Sequence, residues 1–447
     1  MFLTVQVLIL IISVVIILTK VFWEKFSYDN LTSITKYIVW SLPFELIPSL
    51  QIAGVSVRIS QLLVILGFYV IVILAFKKDK QLLNQKINSL SFLPLLFLVV
   101  ELPSWLNIYD FKRFLTYHIA TFLVFGAFFL VTNFVRNPIK RLQELSYILA
   151  ACSVFGWYQL IGDYIGLPTN LTGLREQYTK QVFGIARIQG TAIEPLHFAG
   201  MLMIGLIFET QQFLGSWHDK LHDLRFRIAR IALFLVTIIF TFSKGTWGIL
   251  FIITLISIVW GLYKFFNQSK IKFIFSPKKI TTGIISLIVL VFGVISISQI
   301  PPFSNITANI LETIDGKSPS SVERQNFVNN ALRILPENSV LGIGMGQFGP
   351  KINSDLGLIN KDDSAIVNNT YLEVWLENGL LALITLIIIL VIPLFSLFKS
   401  KNNLNFGLAM ILVAFYLEWY LISPIFIMPI WIILGLCYAR VVYPKLI

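Results

Sequence analysis

Residues 228–265 read IARIALFLVTIIFTFSKGTWGILFIITLISIVWGLYKF and carry charge only at Arg230, Lys244 and Lys264. As one helix rising 1.5 Å per residue, this stretch would run about 57 Å, nearly twice the ~30 Å hydrocarbon core of a bilayer. It therefore predicts two membrane-crossing helices, about 228–243 and 245–265, joined by a tight turn at Ser243-Lys244-Gly245. Further apolar runs lie at 2–19, 60–76, 88–106, 113–135, 143–166, 194–214, 280–299, 371–397, 404–422 and 424–440. Residues 38–55 are apolar too but are broken by Pro43, Glu45 and Pro48, which suits an interfacial or re-entrant piece. The count is then twelve or thirteen spans.

Composition gives the same answer. The 447 residues are 56% hydrophobic and only 13% charged, whereas a soluble domain carries about a quarter charged residues. That excludes a soluble enzyme, a disordered chain and a disulfide-stapled secreted domain. Cys152 and Cys437 sit inside apolar runs and read as buried thiols. Residues 2–19 lack a charged leader and a small-residue cleavage site, and read as a retained first helix. The expected fold is an all-α polytopic membrane protein of about twelve transmembrane helices. It divides into an N-terminal bundle (1–166), central spans with a first outer loop (167–299), a large outer loop containing short helices (300–370) and C-terminal spans (371–447).

The charge of +12 would suggest nucleic acid in a soluble chain, but here it follows topology. Short loops on one side carry Lys77, Lys78, Lys80 and Lys86; Arg136, Lys140 and Arg141; Lys220, Arg225, Arg227 and Arg230. The set continues with Lys264, Lys270, Lys272, Lys278 and Lys279, then Lys399 and Lys401, and closes with Arg440 and Lys445. The positive-inside bias places these loops and the C-terminus in the cytoplasm, with 167–193 and 301–370 outside. A chain elaborated on its outer face draws chemical energy from something already carried across the bilayer.

Three polar islands stand out. The first is Arg187-Ile-Gln-Gly190-Thr191-Ala-Ile-Glu194-Pro195. Thr191 and Glu194 match a capping box; Glu194 can equally form a polar pair with His197, three residues on along the same helical face. The second is the turn holding Lys244, whose ammonium either snorkels to headgroups or meets a lipid pyrophosphate. In the third, Arg324, Val328, Ala331 and Leu335 fall on one face of a predicted helix over 322–335, with Arg333 opposite. A guanidinium on the protein-facing stripe needs an anionic partner, either a structural carboxylate or a substrate phosphate. Downstream, Gly342, Gly344 and Gly346 alternate, as in a backbone nest for anions or a flexible turn. Asn368-Asn369-Thr370-Tyr371-Leu-Glu373 then opens the span 371–397, where Asn369 and Thr370 can act as caps. No metal-ligand spacing, P-loop, nucleophile elbow or CxxC is present, and no metal or other cofactor is expected.

In order, these pieces resemble the O-antigen ligase / O-antigen polymerase superfamily of bacterial envelope glycosyltransferases. The resemblance runs over about 180–400: R-x-x-G…E-P before a span, S-[R/K]-G in an outer hairpin, R…A-L…P…G-x-G-x-G-x-F, then N-x-Y-L-E…E-x-G-L. It implies a GT-C-like helical fold in the bacterial cytoplasmic membrane, undecaprenyl-pyrophosphate-linked oligosaccharides as donor and acceptor, and a site on the outer face without a metal. A chain-length regulator and a flippase are further implied partners. Arg187, Lys244 and Arg324 fall on the family's basic positions. Asn368 stands where ligases carry histidine, and asparagine cannot accept a proton near neutrality, so the polymerase branch is favoured over the ligase. A flippase or secondary transporter is the rival of another class, with Glu101, His118, Glu209 and Glu418 in or near spans.

The expected catalytic set is thus Arg187, Lys244 and Arg324 for the leaving pyrophosphate and Glu194 as base. His197, Gly344, Asn368, Asn369, Tyr371 and Glu373 are expected to bind substrate.

Overall fold

A computed structural model describes residues 13, 27–44, 49–52, 55–173, 181–182, 185–192, 194–215, 221–267, 319–355, 365–400, 402–423 and 425–442. The predicted spans 2–19 (residue 13 apart) and 280–299, and the loop residues 300–318, lie outside the described residues. The described chain is mostly helical, with two small hairpins of strand.

Helix α1 (Tyr28–Trp40) leads through a 3-10 turn, Leu42–Phe44, to the antiparallel strands β1 (Ser49–Ile52) and β2 (Val55–Arg58), with Ser49 opposite Arg58. Within 38–55 the described residues therefore end a helix and enter a hairpin; Pro43 lacks the amide proton that a continuous helix would need there. Then follow α2 (Ile59–Phe76), α3 (Leu93–Val100), α4 (Phe111–Phe134) and α5 (Pro138–Ile165). The span expected at 88–106 is built as α3 between two 3-10 segments, Ser89–Phe92 and Leu102–Asn107, with a proline in the first turn of both α3 and the later segment. After the two-residue strands β3 (Gln181–Val182) and β4 (Ile185–Ala186) come α6 (Pro195–Gly215), α7 (Leu221–Phe240) and α8 (Lys244–Asn267). The predicted 228–265 hairpin is present, with its reversal at Thr241-Phe242-Ser243 and Lys244 already in the first turn of α8.

The large loop contains α9 (Pro319–Asn338) and α10 (Phe348–Asp355). The single span expected over 371–397 is instead two helices, α11 (Thr370–Asn378) and α12 (Leu380–Lys399), broken at Gly379 with φ +85°. Two shorter helices, α13 (Asn403–Glu418) and α14 (Met428–Val442), complete the chain.

Among the described residues, six stretches are long and apolar enough to cross a membrane: Ile59–Phe76, Ser89–Asn107, Phe111–Phe134, Pro138–Ile165, Lys244–Gly261 and Leu380–Lys399. This is a multi-pass helical membrane protein. Its core is formed where α14 packs along α4 and where α6 packs between α7 and α13. Trp431 of α14 is fully buried, with Phe125 4.6 Å away ring to ring and Phe128 and Trp419 close by. Its indole N–H donates to the Ile425 carbonyl at 2.6 Å. The outward faces of α2, α8 and α12 present Phe76, Phe251, Val259 and Phe395, side chains that a bilayer would cover. Glu209, buried on α6, accepts two 3.0 Å bonds from Arg230 and one from Ser146 at 2.6 Å, so this buried carboxylate is paired.

Candidate active site

The polar islands gather at one end of the bundle, where α6, α8 and α11 begin and where α7 and α13 end. The loop before α6 is latched on both sides. Ile188 donates its amide to the Phe240 carbonyl at 3.0 Å, and Gly190 exchanges bonds of 2.8 and 3.2 Å with the Gln159 amide on α5. This fixes Arg187, whose Nε donates to the Thr241 carbonyl at 2.8 Å. Arg187 therefore sits on the same turn that launches Lys244. Burial lowers the Arg187 guanidinium below the usual arginine range, and the nearby Glu194 carboxylate opposes that shift.

Helix α6 begins at Pro195, so Thr191 does not stand at its N-cap. The Thr191 hydroxyl donates instead to the Pro43 carbonyl at 2.7 Å, tying the N-terminal segment to the site loop. Glu194 opens α6 through its own carbonyl, which accepts from Phe198 N at 3.1 Å. Its side chain acts electrostatically on both Arg187 and His197. His197 receives charge from two further directions, Arg58 at the end of β2 and Arg324 on α9. Arg58, Arg324 and the Glu194–His197 pair, from three distant parts of the chain, thus lie within electrostatic reach of one another.

On α9, Arg324 and Val328 are half-buried and Ala331 and Leu335 are buried, whereas Arg333 is exposed. Lys244 is half-buried, and the next residue places it relative to the rest. A Cβ on Gly245 would come 2.7 Å from Leu421 and 3.8 Å from Leu196, so the start of α8 sits against both α6 and the turn after α13.

That turn also anchors the Asn-Asn-Thr motif. Thr370 donates its amide to the Trp419 and Ile422 carbonyls at 2.8 and 2.9 Å, and its hydroxyl to Ile422 O at 2.7 Å. Asn369 caps α11, its side chain accepting from Leu372 N at 3.0 Å. Tyr371 donates to Tyr416 O at 2.9 Å, and Glu373 accepts from Val367 N at 3.0 Å. The Asn369 side-chain carbonyl, the Tyr371 hydroxyl and a Glu373 carboxylate oxygen thus help to hold α11 in place. Asn368 differs. It is half-buried at φ +60°, and its amide makes no hydrogen bond among the described residues.

The glycine segment is also internally filled. Glu377 accepts from Gly346 N at 2.7 Å and from Phe348 N at 2.9 Å, while its own carbonyl accepts from Gly344 N at 2.8 Å. The anion in this nest is a carboxylate of the chain itself, so Gly344 lies in a structural turn and not at an open anion site. Arg113 donates to Gly346 O at 2.5 Å from the other side. Gly342, at φ +84°, leaves no room for a Cβ, which would stand 2.4 Å from the Glu377 carbonyl. Glu377 itself, held away from water, is pushed up to about 7.

Sequence reasoning did not single out Arg58. A lone arginine before an apolar run carries no signal of what the hairpin folds it against. Among the described residues, no three His, Cys, Asp or Glu side chains gather as metal ligands would.

A helical membrane protein with basic side chains, one carboxylate and a histidine clustered at one end defines the class. Residues 229–387, about a third of the chain, match the family model described as O-Antigen ligase. That match supports the O-antigen ligase/polymerase superfamily and takes in Lys244, Arg324 and Asn368; Arg187, Glu194 and His197 precede it. No curated protein matches the chain.

Proposed function

We propose that the protein is a glycosyltransferase that polymerises undecaprenyl-pyrophosphate-linked oligosaccharide repeat units at the outer face of a bacterial cytoplasmic membrane. The product is an O-antigen, capsule or exopolysaccharide, and the fold is of the GT-C-like kind with about twelve spans. The observation that carries this reading is the convergence of Glu194, Arg58 and Arg324 on His197, beside a segment that matches the O-Antigen ligase family.

The chemistry follows from those groups. The acceptor hydroxyl loses its proton to Glu194 as its oxygen bonds to the anomeric carbon of the donor. The anomeric C–O bond breaks, and its electron pair leaves on the pyrophosphate. Arg187, Lys244 and Arg324 lie where they can stabilise that developing charge; a fixed cation aimed at it is worth about 10²–10³ in rate. His197 and Asn368 face the acceptor. Lys244 supplies a point charge where an arginine would supply a fork. Asn368, which cannot act as a base, favours polymerisation over ligation of finished glycan.

The test is Arg324→Ala and Arg187→Ala, each scored for polymer ladder length in cells alongside a deletion of the gene. Collapse to single repeat units supports polymerisation. Long polymer retained on the lipid carrier assigns the ligase reaction instead. Wild-type ladders from both correctly inserted variants overturn the mechanism.

A further inference from the structure

Behind His197 lies a cavity lined by Pro43, Thr191, Met201, Glu418, Trp419 and Ile422, among others. It is apolar apart from His197, Thr191, Glu418 and the indole N–H of Trp419. The Thr191 proton is already given to Pro43 O. Glu418, the last residue of α13, is 3% exposed, and its Oε2 has no hydrogen-bond partner among the described residues. A buried polar atom left so is costly, and such an atom in a native protein calls for a reason.

The packing shows that the carboxylate is accommodated deliberately. It lies against Gly200 of α6, where a Cβ would stand 2.4 and 2.5 Å from its two oxygens. Gly200 is three residues beyond His197, hence on the same helical face. The missing side chain at position 200 is what lets the carboxylate approach the histidine's side of α6. The cavity as a whole leaves about 30 Å³ for water centres, more than the roughly 10–15 Å³ that one water needs. A water placed in it could bond to the Glu418 carboxylate, the imidazole and a lone pair of Thr191, all of which belong to the lining.

We propose that Glu418 is a positioning residue for His197, holding the imidazole through a cavity water so that its other ring nitrogen is turned toward Glu194 and the acceptor hydroxyl. The inference deepens the reading above and rests on it for the identity of the acceptor. Its physical basis is general: the hydrogen bond at one ring nitrogen decides what the other presents. The sequence places Glu418 in an apolar helix 221 residues from His197, and only the tertiary structure brings them to one cavity.

The experiment measures glycan transfer by the full-length protein in membranes. Its substrate is the lipid-linked glycan extracted from cells lacking the gene. If Glu418 acts through His197, Glu418→Ala lowers maximal turnover about 10- to 100-fold, a span usual for lost orienting partners. The half-saturating glycan concentration stays within about twofold, and Glu418→Gln recovers a third or more of the rate. The decisive reading is a double-mutant cycle. His197→Ala/Glu418→Ala is then no slower than His197→Ala alone. Losses that multiply, or a Glu418→Ala variant as fast as wild type, overturn the proposal. Should Glu418→Ala fail to accumulate, Glu418→Met fills the same volume without a polar atom and enters the same cycle. Arg324→Ala and Arg187→Ala run in parallel: full rate in both defeats the functional reading, whereas their loss with a multiplicative cycle defeats only the role of Glu418.

Discussion

Arg324 and Arg333 stand nine residues apart on α9, two and a half turns, and so face opposite ways. The half-buried Arg324 acts on His197 while the exposed Arg333 meets solvent. Arg333→Ala should therefore leave polymer ladders at wild-type length in the same cells where Arg324→Ala shortens them; a ladder defect in both would mean that α9 matters as a helix and not through one guanidinium. Asn368 makes the companion case at this scale. A non-glycine residue at φ +60° costs roughly 1–2 kcal/mol, least for asparagine, and here the strained residue is also the one in its motif whose amide stays uncommitted among the described residues. The periodicity of 322–335 made the face of Arg324 legible in the sequence. The sequence offered Asn369 as a cap and Asn368 at the position of the ligase histidine, but the left-handed backbone at Asn368 is a conformation that the letters do not state.

At the scale of elements, α11 is the joint between the outer segment and the membrane helices. Its buried Glu377 satisfies the glycine turn, and its N-terminus is tied to the turn after α13. Burial raises the Glu377 carboxyl to about 7 and raises Glu373 well above the usual carboxylate range, with the neighbouring Glu377 adding to the shift; Arg113 opposes both. A carboxyl raised in the folded state keeps a proton that the unfolded chain releases near 4.5. Its contribution to stability is thus fully present below about 4.5 and is lost as pH rises through about 7. Thermal unfolding of the detergent-solubilised protein should fall in midpoint between about pH 5 and 7.5. Glu377→Gln should flatten part of that slope while lowering the midpoint at every pH, since one amide oxygen cannot accept both backbone bonds. A slope unchanged by the substitution would assign the titration elsewhere.

For the whole molecule, the positive-inside bias and the clustering of polar islands at one end make one topological prediction. Cys152 and Cys437 are buried, so a single introduced thiol reports its own side. In spheroplasts, Val340→Cys, exposed beyond α9, should react with a membrane-impermeant maleimide, and Lys140→Cys, exposed at the start of α5, should react only after permeabilisation. The reverse labelling would invert the protein and place the site in the cytoplasm. Assembly also explains the place of the N-terminal segment. Pro43 accepts from Thr191 and lines the His197 cavity, and Arg58 acts electrostatically on the same histidine, so the N-terminal segment helps to build the site.

The sequence by itself determined that the chain is a membrane-spanning helical protein, where most of its described helices run, and which arginine of α9 faces inward. These follow from the cost of exposing backbone to lipid and from the helical repeat, both of which act locally. Tertiary structure alone decided that Glu377 fills the glycine nest, that Gly379 divides α11 from α12, and that Arg58 and Glu418 belong with His197. Each of these depends on which distant group arrives to satisfy a buried charge or hydrogen bond, and a linear order of residues holds no record of that until the helices pack.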